Sequence, residues 1–225
     1  IHLSIGPEGA IYIADYYREI IEDYSAIPRY LQQQYGLADG NDHGRIWRLT
    51  HDDMPEPQSP NLARLSNAAL ARELASPRHW RRQTARRILL ERGARLPEIA
   101  LPTDDTAAAV NTLYTLGGLG RLNDNTLTAA LGHSEPGVRR HALRLADRRF
   151  GESEKLLAAA LQLADDDSSV VRLQLALSLG ESSDPRALTA LARLARRHGG
   201  DEWLSDAILT SLAGRASNML AALID

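Results

Sequence analysis

The sequence contains no cysteine among its 225 residues. This absence excludes a disulfide framework, a thiolate zinc site, a cysteine nucleophile and a covalently attached c-type haem within this chain. It does not indicate a redox compartment, because disulfides are only one of the features that differ between compartments.

Lysine and long apolar runs are also scarce. Lys155 is the only lysine, and we attribute this bias to the base composition of the gene rather than to function. The net charge of -3 argues against a chain that binds polyanions along its whole surface. No apolar run approaches the roughly 20 residues that span a bilayer. The hydrophobic fraction of 44% is that of an ordinary globular protein with a buried core.

Both ends of the sequence have the character of a piece of a longer protein. The sequence begins at Ile1, without a methionine and already in a strand-like pattern, and ends at Asp225 within an apparent helix. We therefore expect further sequence on both sides, and the missing signal peptide says nothing about location.

The first part of the chain has the pattern of short strands separated by glycine-rich turns. Four stretches alternate or are rich in β-branched and aromatic residues, namely His2–Ser4, Ala10–Ala14, Arg18–Glu22 and Gly44–Thr50. Between the last two, Pro28 starts a predicted short helix that ends at Gly36. Four such strands fit one blade of a β-propeller, and a lone blade needs cover for its edges.

The rest of the chain has helical periodicity and an internal repeat. Glu135–Ala146 recurs at Asp167–Leu179, so that Val138 falls on Val171, a step of 33 residues. A fixed period of this length predicts a solenoid of about five stacked helix pairs. Four sets of positions are equivalent at this step: Val138, Val171 and Leu204; Arg139, Arg172 and Ser205; Ala142, Leu175 and Ile208; and Ala146, Leu179 and Leu212. A slightly shorter step back along the chain reaches Ala109 and Leu113, and a second such step reaches Trp80, Arg81, Thr84 and Ile88. Trp80 and Trp203, in or beside this register, are expected to pack in the core.

Both parts resemble one family. GPEGAIYIADYYREII followed by GNDHGRIWRL is similar to the last propeller blade of the large membrane-bound dehydrogenase-type proteins of planctomycetes and their relatives. The helical part resembles that family in order and spacing, through LYTLGGLG, EPGVRRHALRLA and LALSLGESSDPRALTALARLARR. Pro136, Val138 and Arg139 also match the HEAT-repeat pattern of a proline before the second helix and a Val-Arg pair in its first turn.

The resemblance implies a context for the chain. In that family a propeller similar to the glucose/sorbosone dehydrogenases is followed by HEAT repeats and usually by a c-type cytochrome domain. It therefore implies a parent redox protein of the bacterial cell envelope, on the periplasmic side, with a quinone cofactor and haem c. Most of the propeller and the Cys-x-x-Cys-His haem motif are absent from this sequence, so no cofactor is expected in this fragment.

The expected fold is mainly α. It is a HEAT-like, armadillo-type α-α superhelix, preceded by a small antiparallel β segment that resembles one propeller blade. We divide the chain into the blade-like segment at 1–51, a linker at 52–60 and the HEAT array at 61–225. Three prolines in the linker exclude a helix or a central strand there.

Arginines recur at or beside one position of the predicted second helices, namely Arg81, Arg82, Arg139, Arg140 and Arg172. In one interpretation each pairs with an acid or a carbonyl of a neighbouring repeat, such as Glu135 or Asp167, and holds the stack. In the other they form a ladder that binds anions or nucleic acid along the concave face, which second helices line in HEAT arrays. We favour the first, and affinity for DNA that falls steeply with salt would favour the second.

A polar loop in the first part is a weak candidate for a metal site. Asp39 and Asn41 have the alternating spacing of calcium loops. The distal glutamate of the twelve-residue calcium pattern is missing, which favours a solvated turn.

Four residues around the propeller motif are candidates for chemistry: Asp15, Arg18, His43 and Arg45. The resemblance implies that they could reach the axial site where related sugar dehydrogenases hold a quinone and a substrate. Alternatively, Asp15 and Arg18 stabilise the strand turn and Arg45 pairs with an acid such as Asp15.

The expected function is a non-catalytic HEAT-repeat scaffold that binds a partner protein or other domains of its own chain. One alternative is a fragment that contributes active-site residues to a quinone-dependent sugar or alcohol dehydrogenase. Another is a nucleic-acid-binding HEAT array. Whether the parent protein is an enzyme stays open at this point.

Overall fold

The computed structural model describes residues 2–17, 26–37, 39–40, 42–54, 60–95 and 101–224. Three features of the sequence interpretation lie outside these ranges: the strand predicted at Arg18–Glu22, Asn41 of the polar loop and the middle of the Pro-rich linker. The stretch Leu96–Ala100, for which the sequence also predicts a short first helix broken at Pro102, lies outside them as well. Within the described ranges a small sheet precedes a helical array, which confirms the expected mainly α fold class.

Three short strands form the sheet: β1 (His2–Ile5), β2 (Ile11–Asp15) and β3 (Arg45–Leu49). They pair antiparallel in the order β1-β2-β3, with Leu3 opposite Ile13 and Ile13 opposite Trp47. A short helix, α1 (Arg29–Gln34), begins after Pro28 as predicted, and Gly36 follows it with a left-handed φ of 63°. Because side chains alternate across a sheet, one face carries Leu3, Ile5, Ile11, Ile13, Trp47 and Leu49.

The turn between β1 and β2 is organised by the buried carboxylate of Glu8. The Tyr12 hydroxyl donates to its Oε1 at 2.6 Å, and Arg48 Nε donates to the same oxygen at 2.9 Å. The hydrogen bond from Tyr12 is the largest cause that holds the pKa of Glu8 below its ordinary value. Arg78 donates to the carbonyl of Pro7 at 3.1 Å, so this turn is joined to the helical array.

The helical array contains, in the described ranges, α2 (Asn67–Glu73), α3 (His79–Glu91), α4 (Thr106–Gly118), α5 (Asp124–Leu131), α6 (Pro136–Ala146), α7 (Glu154–Leu161), α8 (Ser169–Leu179), α9 (Pro185–His198), α10 (Glu202–Thr210) and α11 (Ala216–Ile224). Short 3₁₀ turns occupy Leu62–Arg64, Asp147–Arg149 and Gln162–Asp165.

Helix starts follow local capping chemistry. A side-chain oxygen at the N-cap accepts a hydrogen bond from a first-turn N–H and satisfies a donor that the helix cannot. This cap is provided by Ser66, Asp105, Asn123, Ser153, Asp184 and Asp201. For α4 the sequence predicts Thr103 as the cap, with Asp104 and Asp105 in the first turn, and this prediction is wrong. Asp105 is the N-cap and accepts from Ala108 N at 2.9 Å, and its carboxylate also complements the helix dipole.

The helices stack in two layers. The second helices of the pairs, α3, α4, α6, α8 and α10, each contact the next in turn, and α5, α7, α9 and α11 do the same on the other side. The pairs α2/α3, α5/α6 and α9/α10 are joined directly, and α7 reaches α8 through the 3₁₀ turn between them. Each pair therefore contacts its neighbours, as the repeat period predicts for a solenoid.

The core confirms the 33-residue register from α6 to α10. Val138, Val171 and Leu204 are at most 2% exposed, and Leu175 and Ile208 are at most 4% exposed. Burial of each such aliphatic side chain contributes about 2 kcal/mol. The stack therefore depends on the same helix positions in consecutive repeats.

Two details of the predicted register are wrong. In α3, Ala85 and Leu89 are fully buried, so the equivalent positions lie one residue later than the predicted Thr84 and Ile88, although Ile88 is buried as well. In α10, Trp203 is 76% exposed, because the next residue, Leu204, takes the core position. Trp80 does pack against the buried cluster of α2 and α3.

Candidate functional site

Three arginines near the starts of second helices make one repeated contact. Each donates its Nη1 to the carbonyls six and five residues earlier, which belong to the loop before its own helix. For Arg139 these carbonyls are His133 and Ser134, both at 2.7 Å. The corresponding bonds are Arg172 to Asp166 and Asp167 at 2.6 and 3.0 Å, and Arg82 to Ser76 and Pro77 at 2.7 and 3.0 Å.

Arg139 also joins two repeats. Its Nε and Nη2 donate to the carboxylate of Asp166 at 2.6 and 2.8 Å, and the two side chains are only 15% and 5% exposed. Burial raises the pKa of Asp166, but hydrogen bonds from Arg139 and from the Ser168 N–H lower it further, so that it lies below its ordinary value. The acid partner is thus Asp166, next to Asp167, which the sequence analysis offered as an example. This ionised bidentate pair links α6 to the loop of the next pair.

Two other positions of the series differ from this pattern of contacts. Arg81 makes a bidentate pair with Glu73 of α2 at 2.7 and 2.8 Å, while Arg82 makes the carbonyl contacts. Ser205 stands at the position of Arg139 and Arg172 in α10, and its hydroxyl donates to the carbonyl of Gly199 at 3.0 Å, six residues earlier. A shorter side chain therefore keeps one of the two loop contacts.

Arg140 points away from these loop contacts and belongs to the second-helix surface, by which we mean the solvent-facing side chains of α3, α4, α6, α8 and α10. Its Nη2 lies 3.1 Å from Nε2 of His141, whose Nδ1 lies 3.0 Å from the Tyr114 hydroxyl. The guanidinium carbon of Arg86 lies 5.4 Å from the centre of the Tyr114 ring. Side chains of α3, α4 and α6 therefore form one continuous line.

The protonation of His141 follows from its surroundings. Burial, and then the charges of Arg140 and Arg144, lower its pKa from the ordinary 6.5. The ring is thus neutral at pH 7. Because Arg140 can only donate, Nε2 accepts and the proton resides on Nδ1, which donates to Tyr114.

A groove of about 200 Å³ lies between α6 and α8 on this surface. On α8, Val170 and Leu177 are 47% and 42% exposed. Among the described residues, no carboxylate lies within salt-bridge distance of Arg140 or Arg144. The groove is lined by Arg140, His141 and Arg144 from α6 and by Val170, Leu173, Gln174 and Leu177 from α8.

A second cluster lies at the end of the sheet around Asp15. Its carboxylate accepts hydrogen bonds from Trp47 Nε1 at 2.9 Å, Arg45 Nε at 3.0 Å and the backbone N–H of Tyr17 at 3.0 Å. These bonds, with that from Trp47 the largest cause, lower the pKa of Asp15. The Arg45 guanidinium carbon also lies 4.3 and 4.7 Å from the ring centres of Tyr17 and Trp47. A carboxylate with three donors and a lowered pKa orients its neighbours and is a poor proton acceptor.

The remaining sequence candidates lie around this cluster. His43 stands edge-on to the Tyr17 ring, with ring centres 5.4 Å apart, so Asp15, His43 and Arg45 come together. Arg18 lies outside the described residues, as does Asn41, and Asp39 is exposed. Within the described ranges no group of three or more His, Cys, Asp or Glu residues is placed to hold a metal ion. The catalytic and calcium hypotheses for these residues stay predictions.

Neither the groove nor the line from Arg86 to His141 was predicted from the sequence, and the repeat register was not extended to Leu173 and Leu177. A signal was present, because the 33-residue step places Leu173 and Leu177 on Arg140 and Arg144. The surface positions of two stacked helices were thus readable once the core register was known.

Two family models match separate parts of the chain. Of the helices that the structure describes, none has the length and apolar character to cross a bilayer. A domain of unknown function (DUF7133) matches residues 1–53, which contain the whole described sheet. No curated protein and no solved structure matches the chain. The family of HEAT repeats matches residues 124–213, the segment from α5 to α10, and this match supports the HEAT-like character of the helical array.

Proposed function

We propose that this chain is a protein-interaction scaffold whose binding surface is formed by its second helices. Stacked HEAT repeats contact only their neighbours and leave an extended surface for partners. The observation that carries the proposal is the exposed aliphatic surface of α8, where Val170 and Leu177 stand beside the arginines of α6. Apolar side chains set among charged ones are typical of protein-contact surfaces.

The contacts of the arginine ladder favour a protein partner over nucleic acid. Arg82, Arg139 and Arg172 donate to loop carbonyls of their own chain, and Arg139 also donates to Asp166. These bonds compete with any phosphate for the same donors. The ladder therefore serves the stack better than it serves a nucleic-acid backbone.

We further propose that the scaffold is part of a larger redox protein, in which the sheet is one propeller blade and neighbouring blades cover it. The apolar face of the sheet supports this context, because Leu3, Trp47 and Leu49 are 62%, 51% and 58% exposed. Propeller blades bury such faces against one another. In that context the partners are other domains of the same chain, the quinone and haem c belong to those domains, and the protein resides in the bacterial cell envelope.

The division into a blade-like segment, a linker and a HEAT array is part of the same proposal. The contribution of the sheet end to a dehydrogenase site is a weaker alternative, because Asp15 is engaged by three donors. Replacement of His43 in the parent protein, with no change in sugar or alcohol oxidation, would remove that alternative.

The scaffold function is tested with photo-crosslinking in the organism that produces the protein. A photoreactive residue replaces Gln174 in the groove of α8 and, as a matched control, Arg196 on α9 in the other layer. We expect Gln174 to give one defined protein adduct, or a specific internal crosslink in the parent chain, and Arg196 to give neither. Equal crosslinking at both positions, or none at either, contradicts a scaffold that uses its second helices.

The larger context is tested by reading the gene on both sides of this sequence. We expect upstream blades and a downstream Cys-x-x-Cys-His motif. Their absence would contradict the redox-protein context and would leave the scaffold proposal standing.

A further inference from the structure

We propose that the groove between α6 and α8 binds an acidic amphipathic helix of the partner, with apolar side chains over α8 and carboxylates towards α6. This inference rests on the scaffold function proposed above and names the chemistry of the partner. It commits to one occupant, whose charge complements the groove.

The groove is built from the same helix positions in consecutive repeats. The 33-residue step takes Arg140 to Leu173 and then to Asp206, and it takes Arg144 to Leu177 and then to Thr210. Leu173 is half-buried and packs partly against the core, but arginine and aspartate occupy the same position in the neighbouring repeats, so packing does not require an apolar side chain there. That position is available to match a partner.

Arg140 and Arg144, on the α6 side of the groove, form no salt bridge with a described carboxylate, although Asp147 lies close enough to Arg144 for the two charges to interact. Several other arginines of the array do pair with carboxylates, as Arg81 does with Glu73 and Arg186 with Glu154. Arg140 instead contacts the neutral ring of His141, and Arg144 lies four residues away on the same helix face. Like charges at this spacing repel each other, so carboxylates brought by a partner would relieve the repulsion.

The α8 side of the groove supplies a stripe of apolar side chains that runs along the helix. Val170, Leu173 and Leu177 have the spacing i, i+3 and i+7, which aligns them over about 10 Å of helix. A helix laid in a groove presents its own anchors at this spacing. A nucleic-acid backbone or a small anion would use the arginines and leave this stripe exposed to water. An acidic amphipathic helix uses both sides.

The test selects peptides against the whole chain. A display library of helical peptides of about 16 residues carries leucine at i, i+3 and i+7, with random residues elsewhere. We expect selected peptides to be rich in Asp and Glu on the flank of the leucine stripe. Fluorescence anisotropy with one selected, labelled peptide then gives Kd for the variants, whose helix content is checked by circular dichroism.

We expect the double variant Arg140→Glu, Arg144→Glu to weaken binding at least about tenfold, because two attractive pairs become repulsive. Leu177→Asp is expected to weaken it by a similar factor, whereas Arg196→Glu, on the other layer, leaves Kd unchanged. Enrichment of neutral or basic peptides, or binding that survives the double variant, overturns the groove assignment and leaves the scaffold function standing. Duplex DNA that displaces the peptide with higher affinity overturns the choice of partner. Failure to enrich any peptide overturns the binding of an amphipathic helix, and the crosslinking at Gln174 then decides separately whether the scaffold function stands.

Discussion

Arg139 and Arg172 form a natural pair of variants for measuring what holds the repeats together. Both donate Nη1 to the carbonyls six and five residues earlier. Only Arg139 also makes the bidentate contact with Asp166 in the next repeat. Replacement of each by methionine keeps the aliphatic stem and removes the donors, so the difference between the two variants isolates the link between repeats.

The structure sets the expected magnitudes. Arg139→Met leaves the 5% exposed carboxylate of Asp166 with the N–H of Ser168 as a remaining donor. Removal of one partner from a buried ion pair costs about 3–5 kcal/mol, and we expect a cost of about 4 kcal/mol. Arg172→Met loses two carbonyl bonds but also removes a buried Nε that has no partner in the described structure. We therefore expect about 1 kcal/mol for Arg172→Met.

Urea unfolding followed by circular dichroism at 222 nm measures both free energies of unfolding. Addition of Asp166→Asn to Arg139→Met should recover part of the loss, because a neutral amide costs less to bury than an unpaired carboxylate. Equal losses in the two single variants would refute the role of the ion pair, as would a double variant no more stable than Arg139→Met.

The difference in the free energy of unfolding between wild type and Arg139→Met depends on pH with a definite sign. The pKa of Asp166 is lower in the folded chain than its ordinary value, so its contribution is fully present above the unfolded pKa of about 3.9. It is lost as the pH falls through the lower, folded value. Wild type and Arg139→Met should therefore converge in stability only in acid, below about pH 4.

Two further predictions concern other sites. Ser205→Arg should stabilise the chain by about 0.5–1 kcal/mol, because arginine there can reach the carbonyls of both Gly199 and Gly200; an unchanged or lowered urea midpoint would contradict it. Glu8→Gln should speed hydrogen exchange of β1 and β2 by roughly tenfold at pH 7, because the bonds from Tyr12 and Arg48 lose their charge assistance. Since the folded pKa of Glu8 is lowered, this effect should vanish as the pH falls below about 4, and an undiminished difference at low pH would count against it.

The sequence predicted what local rules determine. Capping residues predict helix starts at Asn123 or Asn125, at Ser153 and at Asp184, because capping needs only residues a few positions apart. The caps in the structure are Asn123, Ser153 and Asp184. The core register from α6 to α10 follows from a constant period. It fails in α3, where the distance from Arg82 to Arg139 is not a multiple of that period. Trp203 shows that a shift of one residue is enough to place a side chain wrongly in the core, since one residue along a helix is a rotation of about 100°.

The contacts in the two candidate sites depend on how distant parts of the chain pack together, which local sequence rules do not describe. Asp15 and Arg45 were found because they flank strands of one recognisable motif, and they do pair. The contact of Tyr114 with His141 required knowledge that α4 stacks directly on α6. The exposure of Leu177 could not be read from its own helix, where its spacing is as compatible with burial as that of the core leucines. Only the comparison with α6, where the 33-residue step places Arg144 at the same position, marks Leu177 as a surface leucine.

Arg139 and Arg140 show how one helix serves both the stack and the surface. They are adjacent in sequence, so their side chains leave α6 in directions about 100° apart. Arg139 turns to the loop carbonyls and to Asp166, and its equivalents Arg172 and Ser205 keep a loop contact. Arg140 faces the groove, and its equivalents differ in charge and size. A repeat array can therefore keep its stacking chemistry constant while neighbouring positions change, and this separation lets a uniform scaffold present a different surface at each repeat.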